Sequence, residues 1–243
     1  MHRRFLIIAQ ARSGSTYLQS LLNAHPSIRC RGELFDLGQI DDDGDKIRDP
    51  ARLAARDADP AGFLHRKLAG EGLETEGLLS IGAKLLFHHN PRLFSEILPS
   101  APDISLIHVS RSNKLAQFAS ARQVEKTGRW VASGGDGPPP RIAPAPKWAL
   151  AECNRLANED LFLGHWIAAL PNPSLRVAYA DLFAPGIADR LTGFLGLPSV
   201  GPLAGALRKQ GQNRILDRFE NPGPVRATFE AAGLGAWLGP ELP

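Results

Sequence analysis

Arg12-Ser13-Gly14-Ser15-Thr16 is the segment of this sequence best equipped for chemistry. It stands between an apolar run, Phe5 to Ala9, and a stretch in which Leu18, Leu21 and Leu22 recur at helical spacing. A turn that leaves a buried strand and enters a helix presents backbone N–H groups at the positive end of the helix dipole, which favours an anion. Gly14 lets the main chain approach that anion closely. Ser13, Ser15 and Thr16 add hydroxyl donors, and Arg12 adds a charged planar fork. The competing reading is a serine-rich capping turn beside one exposed arginine. What is missing narrows the ligand: the loop has no lysine of the G-x-x-x-x-G-K-[ST] kind, and no carboxylate ends the ISLIHVS strand to hold magnesium. A phosphate loop of that sort suits a donor other than ATP, and no metal is expected.

A second set of residues repeats the logic. Arg111 follows the apolar run Ile104 to Val109 and so falls at the C-terminal edge of a strand, where ligands bind in open α/β sheets. Ser120 comes about two and a half helical turns later and Arg122 follows it. If that helix packs back on the sheet, Ser120 faces the same crevice as Arg111. The alternative is a surface arginine followed by an ordinary helix serine. His88 and His89 read as a turn or surface pair, and His25, before Pro26, as a helix-end residue.

The elements that must position these groups alternate. Phe5 to Ala9, Ile81 to Phe87, Ile104 to Val109 and the SLRVAY run read as strands. Between them lie the leucine-rich helix, a helix opened by Asp59-Pro60, one near Pro91 to Leu98, one capped by Ser112-Asn113, and a long helix traced by Cys153, Leu156, Leu163 and Ile167. A further helix carries Ile187, Leu191 and Leu195. This pattern predicts an α/β, P-loop nucleotide-binding-like fold with a mostly parallel central sheet flanked by helices, in one domain spanning residues 1–243. The Gly/Pro-rich stretch at about 132–146 interrupts the pattern without ending it and reads as a mobile loop or acceptor lid flanked by Trp130 and Trp148.

Composition excludes several classes. With 28 basic and 25 acidic residues among 243, the net charge of +3 is mild, and no tight Lys/Arg cluster calls for nucleic acid. Two cysteines, Cys30 and Cys153, make no disulfide framework, and the FLIIA run is too short to span a membrane or serve as a secretory signal. A cytoplasmic protein is expected.

Taken together, these segments resemble the sulfotransferases that use 3′-phosphoadenosine 5′-phosphosulfate (PAPS), and within them the bacterial carbohydrate branch of trehalose, Nod-factor and lipopolysaccharide sulfotransferases. That branch reads R-S-G-S-T before a leucine-rich helix, as at Arg12 to Thr16. Its G-x-x-E-F-F-like element is similar to Arg31-Gly32-Glu33-Leu34-Phe35, and its G-G-K-L strand to Gly82-Ala83-Lys84-Leu85. Its R-x-x-x-x-x-Q-x-x-S element is matched by Arg111, Gln117 and Ser120, with Arg122, Gln123 and Trp130 trailing. A late strand ending in Tyr resembles Tyr179 and Leu182, and a basic L-x-x-Q stretch resembles Leu207 to Arg214. The chain departs from the wider superfamily in carrying Arg12 where a lysine is common, no histidine at the base position, and Ser112-Asn113 after the second strand.

The resemblance implies a transferase with PAPS as donor and PAP as product, acting on a small-molecule or glycolipid acceptor, with a homodimer implied by analogy. It assigns the 5′-phosphosulfate to Arg12, Ser13, Gly14, Ser15 and Thr16, with Lys84 neutralising charge. Arg111 and Ser120 take the 3′-phosphate, helped by Arg122, Tyr179 and one of Arg208, Lys209 or Arg214. Glu33 becomes the general base. Lys84 otherwise reads as a solvated position on a sheet edge, and Glu33 as a loop carboxylate paired with Arg31. The rival functions are a non-catalytic PAP or nucleotide-binding protein and a magnesium-dependent kinase or NTPase; a serine hydrolase would want a G-x-S-x-G elbow, which RSGST is not.

Overall fold

A computed structural model of the chain describes residues 2–130, 139–203, 205, 207 and 211–242. In chain order its elements are β1 (Arg3–Ala9), α1 (Ser15–Asn23), β2 (Ile28–Glu33), β3 (Ile40–Asp42), β4 (Asp45–Ile47), α2 (Pro50–Ala58), α3 (Pro60–Leu68), β5 (Ser80–Leu86), β6 (Ile104–Ser110), α4 (Lys114–Thr127), α5 (Pro146–Ala169), β7 (Ser174–Ala178), α6 (Ile187–Phe194) and α7 (Pro222–Ala231). Five strands form a sheet in the order β2-β5-β1-β6-β7, every neighbouring pair parallel. The apolar run of β1 takes the centre because it must be covered on both faces. One face sets Phe5, Ile7 and Ala9 against Leu18 and Leu22 of α1 and Leu191 of α6. The other sets Leu6 and Ile8 against Leu64 and Leu68 of α3 and Leu163 and Ile167 of α5. A third cluster, with Phe118, Cys153, Ile215, Phe219 and Phe229, fastens α4 to α5 and α7.

The expected α/β architecture is the one observed, with local differences. The IRCRGE segment, too charged to read as a strand, forms β2, an edge strand with one neighbour; its buried Arg31 is neutralised by Asp42 of the β3–β4 hairpin. That hairpin turns at Asp43-Gly44, both at positive φ. The helix expected near Pro91 to Leu98 is a single π-helical turn, Leu93–Ile97. Asp59 caps α3 as its type predicts, accepting from the Gly62 N–H at 2.9 Å.

Of the Gly/Pro-rich stretch, residues 131–138 lie outside the described residues. Its far half is tied down: Ile142 N–H donates to the Arg218 carbonyl at 2.9 Å, and Glu220 N–H returns a bond to the Ile142 carbonyl at 2.8 Å. Trp130 and Trp148, which flank the stretch, are both exposed, Trp148 resting edge-on against Phe118. His25 is the buried helix-end residue the sequence suggests, accepting from the Ser27 N–H at its Nδ1. Both cysteines are free and buried, and burial pushes the Cys153 thiol up to about 12. No helix among the described residues is long and apolar enough to cross a membrane.

Candidate functional site

The site is built along the C-terminal edge of the three inner strands. After β1 the chain turns through Arg12, itself at positive φ, and through Gly14 at φ 102° before entering α1. Gly14 is required twice over: a β-carbon there would stand 2.7 Å from Tyr179 Cδ2 and 2.9 Å from Leu182 Cδ1. No side chain caps the first turn of α1, and the Ser13 hydroxyl is buried without a hydrogen-bond partner. This is a loop whose polar groups are arranged for something other than their own satisfaction. The left-handed backbone and the steric overlap together lead to a prediction: Gly14→Ala destabilises the fold by about 2 kcal/mol or more. A thermal melt should register a fall of roughly 5 °C; an unchanged melting temperature would mean the turn tolerates a side chain.

Glu33 and Lys84 face each other across the β2–β5 pairing. The register slips between Arg31 and Glu33, so that Gly32 is the extra residue of a bulge and Glu33 falls opposite Lys84. A β-carbon on Gly32 would overlap the Asp41 carboxylate, which would have to move aside. Arg31 then turns to Asp42, and Glu33 instead pairs with Lys84 Nζ at 3.0 Å. Lys84 is not the solvated edge residue of the alternative reading: β5 lies inside the sheet, and the side chain is buried. Its ammonium also donates to Thr16 Oγ1 at 2.9 Å, joining the carboxylate to the β1–α1 loop.

His89, expected at a surface or turn, does lie in the turn after β5 but is buried behind Glu33. The Leu86 N–H donates to its Nδ1 at 3.2 Å, leaving Nε2 directed at Glu33 Oε2, 3.5 Å away. Burial alone would raise the Glu33 pKa, but His89 and the Lys84 ammonium outweigh it and hold the carboxyl at about 2. Because the folded value is depressed, the pairing stabilises the protein above the ordinary carboxylate pKa of 4.5 and is lost as pH falls toward about 2. The stability difference between wild type and Glu33→Gln should therefore shrink between about pH 5 and about pH 2 in denaturant melts. A difference that holds constant over that range would contradict the pairing.

Arg12 and Arg111 come together. Arg111 Nη1 donates to the Arg12 carbonyl at 2.7 Å, and Arg12 Nε donates to Ser120 Oγ at 3.0 Å. Arg12 Nη1 reaches the Trp130 carbonyl at 2.8 Å. Burial and the neighbouring Arg111 charge lower the Arg12 guanidinium to about 10, still protonated at neutral pH. Tyr179 lies under Arg111, ring centroid 4.3 Å from the guanidinium carbon. The two guanidinium groups, the loop, Ser120 and Tyr179 thus lie together, with Ser120 bonded to Arg12 and not to the Arg111 with which its spacing grouped it.

Two expected residues stand elsewhere. Arg122 lies over Phe118 and Trp148 and pairs with Glu125, one turn along α4. Arg214 is exposed, while Arg218, four residues on, is fully buried beside Arg111. Both arginines bond one carboxylate, Glu241, at 2.7 Å from Arg111 Nη2 and 3.3 Å from Arg218 Nη2. No motif marks Arg218 or Glu241; only the fold brings them here. Arg208 and Lys209 lie outside the described residues. The sequence also gave little notice of the polar network behind the loop. Gln117 Nε2 donates to the Ala11 carbonyl at 2.9 Å, and Lys114 Nζ bridges Gln117 Oε1 at 3.3 Å and Asp160 at 3.2 Å. That network holds the loop backbone from beneath.

A parallel α/β sheet with a glycine turn between its central strand and the following helix, and with clustered cations along one edge, is the architecture of a protein that receives an anionic group such as a phosphate at that edge. Residues 4–200 match the family model described as "Sulfotransferase family". The chain belongs to the sulfotransferase family, whose members take the transferred group from PAPS. It is 30% identical to nodulation protein H of Rhizobium meliloti (strain 1021) over 94% of this chain and 95% of that protein. It is 28% identical to nodulation protein H of Rhizobium tropici, covering 80% of this chain and 76% of the relative. A crystal structure of a sulfotransferase from Alicyclobacillus acidocaldarius aligns over 98% of both chains with a TM-score of 0.49 and 13% identity.

Proposed function

We propose that this enzyme moves a sulfuryl group from PAPS to a hydroxyl of a carbohydrate or glycolipid, with Glu33 as general base. The observation that carries the reading is the linkage of Lys84 to both Thr16 of the loop and Glu33. One cation thereby joins the group that would hold the donor to the group that would receive the acceptor's proton. PAPS supplies an activated sulfate on a phosphate leaving group; the protein's part is positioning and charge stabilisation. Arg12, Lys84 and the hydroxyls of Ser13, Ser15 and Thr16 neutralise the phosphosulfate end, and Arg111 with Ser120 takes the 3′-phosphate. The orphaned Ser13 hydroxyl and the uncapped first turn of α1 suit an anion that has no other partner in the loop.

A carboxyl held near 2 by His89 and Lys84 is a weak base, but one of those partners also serves the loop. An anionic phosphosulfate that competes for Lys84 removes that part of the depression, and Glu33 rises from its resting value. Full-length kinship with the proteins named nodulation protein H supports a saccharide acceptor, as does the motif resemblance to the carbohydrate branch. Tyr179, under Arg111, lines the nucleotide side of the same reading, and the exposed Trp130 is suited to stack on a sugar ring.

The test is calorimetry with PAP, ADP, ATP and 3′-AMP, followed by label transfer from PAPS to a panel of saccharides. Selective binding of PAP with sulfated product is expected. PAP binding without transfer to any saccharide would leave a nucleotide-binding protein, and magnesium-dependent ATP hydrolysis would replace the reading by a kinase or NTPase.

A further inference from the structure

Among the described residues, Glu241 is the acidic residue set between the buried Arg111 and Arg218. Its side chain is 3% exposed, against 6% for Arg111 and none for Arg218. It accepts from Nε and Nη2 of Arg111 and from Nη2 of Arg218. The segment that carries it is laid along residues 213–214 by a few bonds. Glu241 N–H donates to the Asn213 carbonyl at 3.3 Å, Leu242 N–H to Asn213 Oδ1 at 2.9 Å, and Asn213 Nδ2 to the Leu242 carbonyl at 2.8 Å. Leu242 rests on the apolar cluster that includes Ala11 and Tyr179. The segment therefore crosses the crevice at the foot of the phosphate loop.

Among the described residues, two buried guanidinium groups beside one carboxylate leave the group with positive charge in excess. Burial, and after it the repulsion of Arg111, lower the Arg218 pKa, with Glu241 opposing them. A phosphate monoester, nearly a dianion at neutral pH and with three acceptor oxygens, balances the pair where a carboxylate does not. A ribose hydroxyl in the same place brings no charge at all. We propose that Glu241 determines donor specificity by holding the 3′-phosphate subsite until a 3′-phosphate displaces it. The inference rests on the donor reading above and deepens it. A nucleotide without that phosphate binds with Glu241 still in place, gaining nothing from Arg111 and Arg218. One with it exchanges a tethered monoanion for a better-matched dianion, and on product release the carboxylate returns.

The experiment compares wild type with Glu241→Gln by calorimetry, using PAP and 5′-AMP, which differ only in the 3′-phosphate. Removing the competing charge should tighten PAP at least about tenfold while leaving 5′-AMP unchanged, so the selectivity for the 3′-phosphate rises. Equal PAP affinities in the two proteins would overturn the inference while leaving the donor reading intact. Failure of both proteins to bind PAP would overturn the donor reading itself, and the inference with it. Should the variant fold poorly, hydrogen exchange on the wild-type protein gives the answer independently. Saturation with PAP should speed exchange at the Glu241 and Leu242 amides as the segment leaves Asn213. Unchanged or slower exchange there would refute displacement, and a purely structural Glu241 predicts that outcome.

Discussion

Replacing Glu33 by glutamine should leave PAP binding near wild type and lower turnover by roughly 10²–10⁴-fold, the range of general-base catalysis. Glutamine keeps the shape and can still accept a hydrogen bond from Lys84, so the β2–β5 junction and the loop contact to Thr16 have no reason to rearrange. What it cannot do is take a proton. The comparison also bears on pH. In the free enzyme Glu33 is ionised down to about 2, so it adds no acid limb to kcat/KM near neutrality. A variant with unchanged turnover would remove Glu33 from the mechanism. A variant that lost PAP binding as well would show that the carboxylate organises the donor loop instead.

The second large effect is expected at Arg111. Its guanidinium makes three kinds of contact at once: a fork to an anion, now Glu241; a bond from Nη1 to the Arg12 carbonyl at 2.7 Å; and a face laid on Tyr179. Lysine preserves the charge but supplies one point donor, so it loses the bidentate geometry, the stacking and the support of the loop. Charge-assisted hydrogen bonds contribute about 1.5–3 kcal/mol each. Arg111→Lys should therefore weaken PAP about 10–100-fold by calorimetry, more than a change of charge position alone predicts. Retention of wild-type affinity would take the 3′-phosphate away from Arg111.

Much of the framework was legible. Four strand runs, the parallel sheet, the helix opened by Asp59-Pro60 and the glycine turn between β1 and α1 all follow from apolar periodicity and local capping chemistry. The approach of Ser120 to the strand edge that carries Arg111 needed only a helix that packs back; its bond to Arg12 was not foreseen. The residues that resisted reading are those whose role depends on contacts distant in sequence. Arg31 and Arg218 are buried charges that look like surface residues in a linear chain, and each becomes intelligible only with its partner: Asp42 and Glu241. The pairing of Arg31 with Asp42 frees Glu33 for Lys84, and it hangs on a bulge at one glycine that no periodicity signals. Arg214 and Arg218 are equally plain on the page; a short 3₁₀ turn, Ile215–Arg218, decides which one faces inward.

The double engagement of Lys84 has a kinetic consequence. While its ammonium spans Thr16 and Glu33, an acceptor that arrives first meets a carboxylate already spoken for, whereas a nucleotide that arrives first relieves it. Under the mechanism proposed above, the arrangement favours a compulsory sequence of loading, nucleotide before sugar.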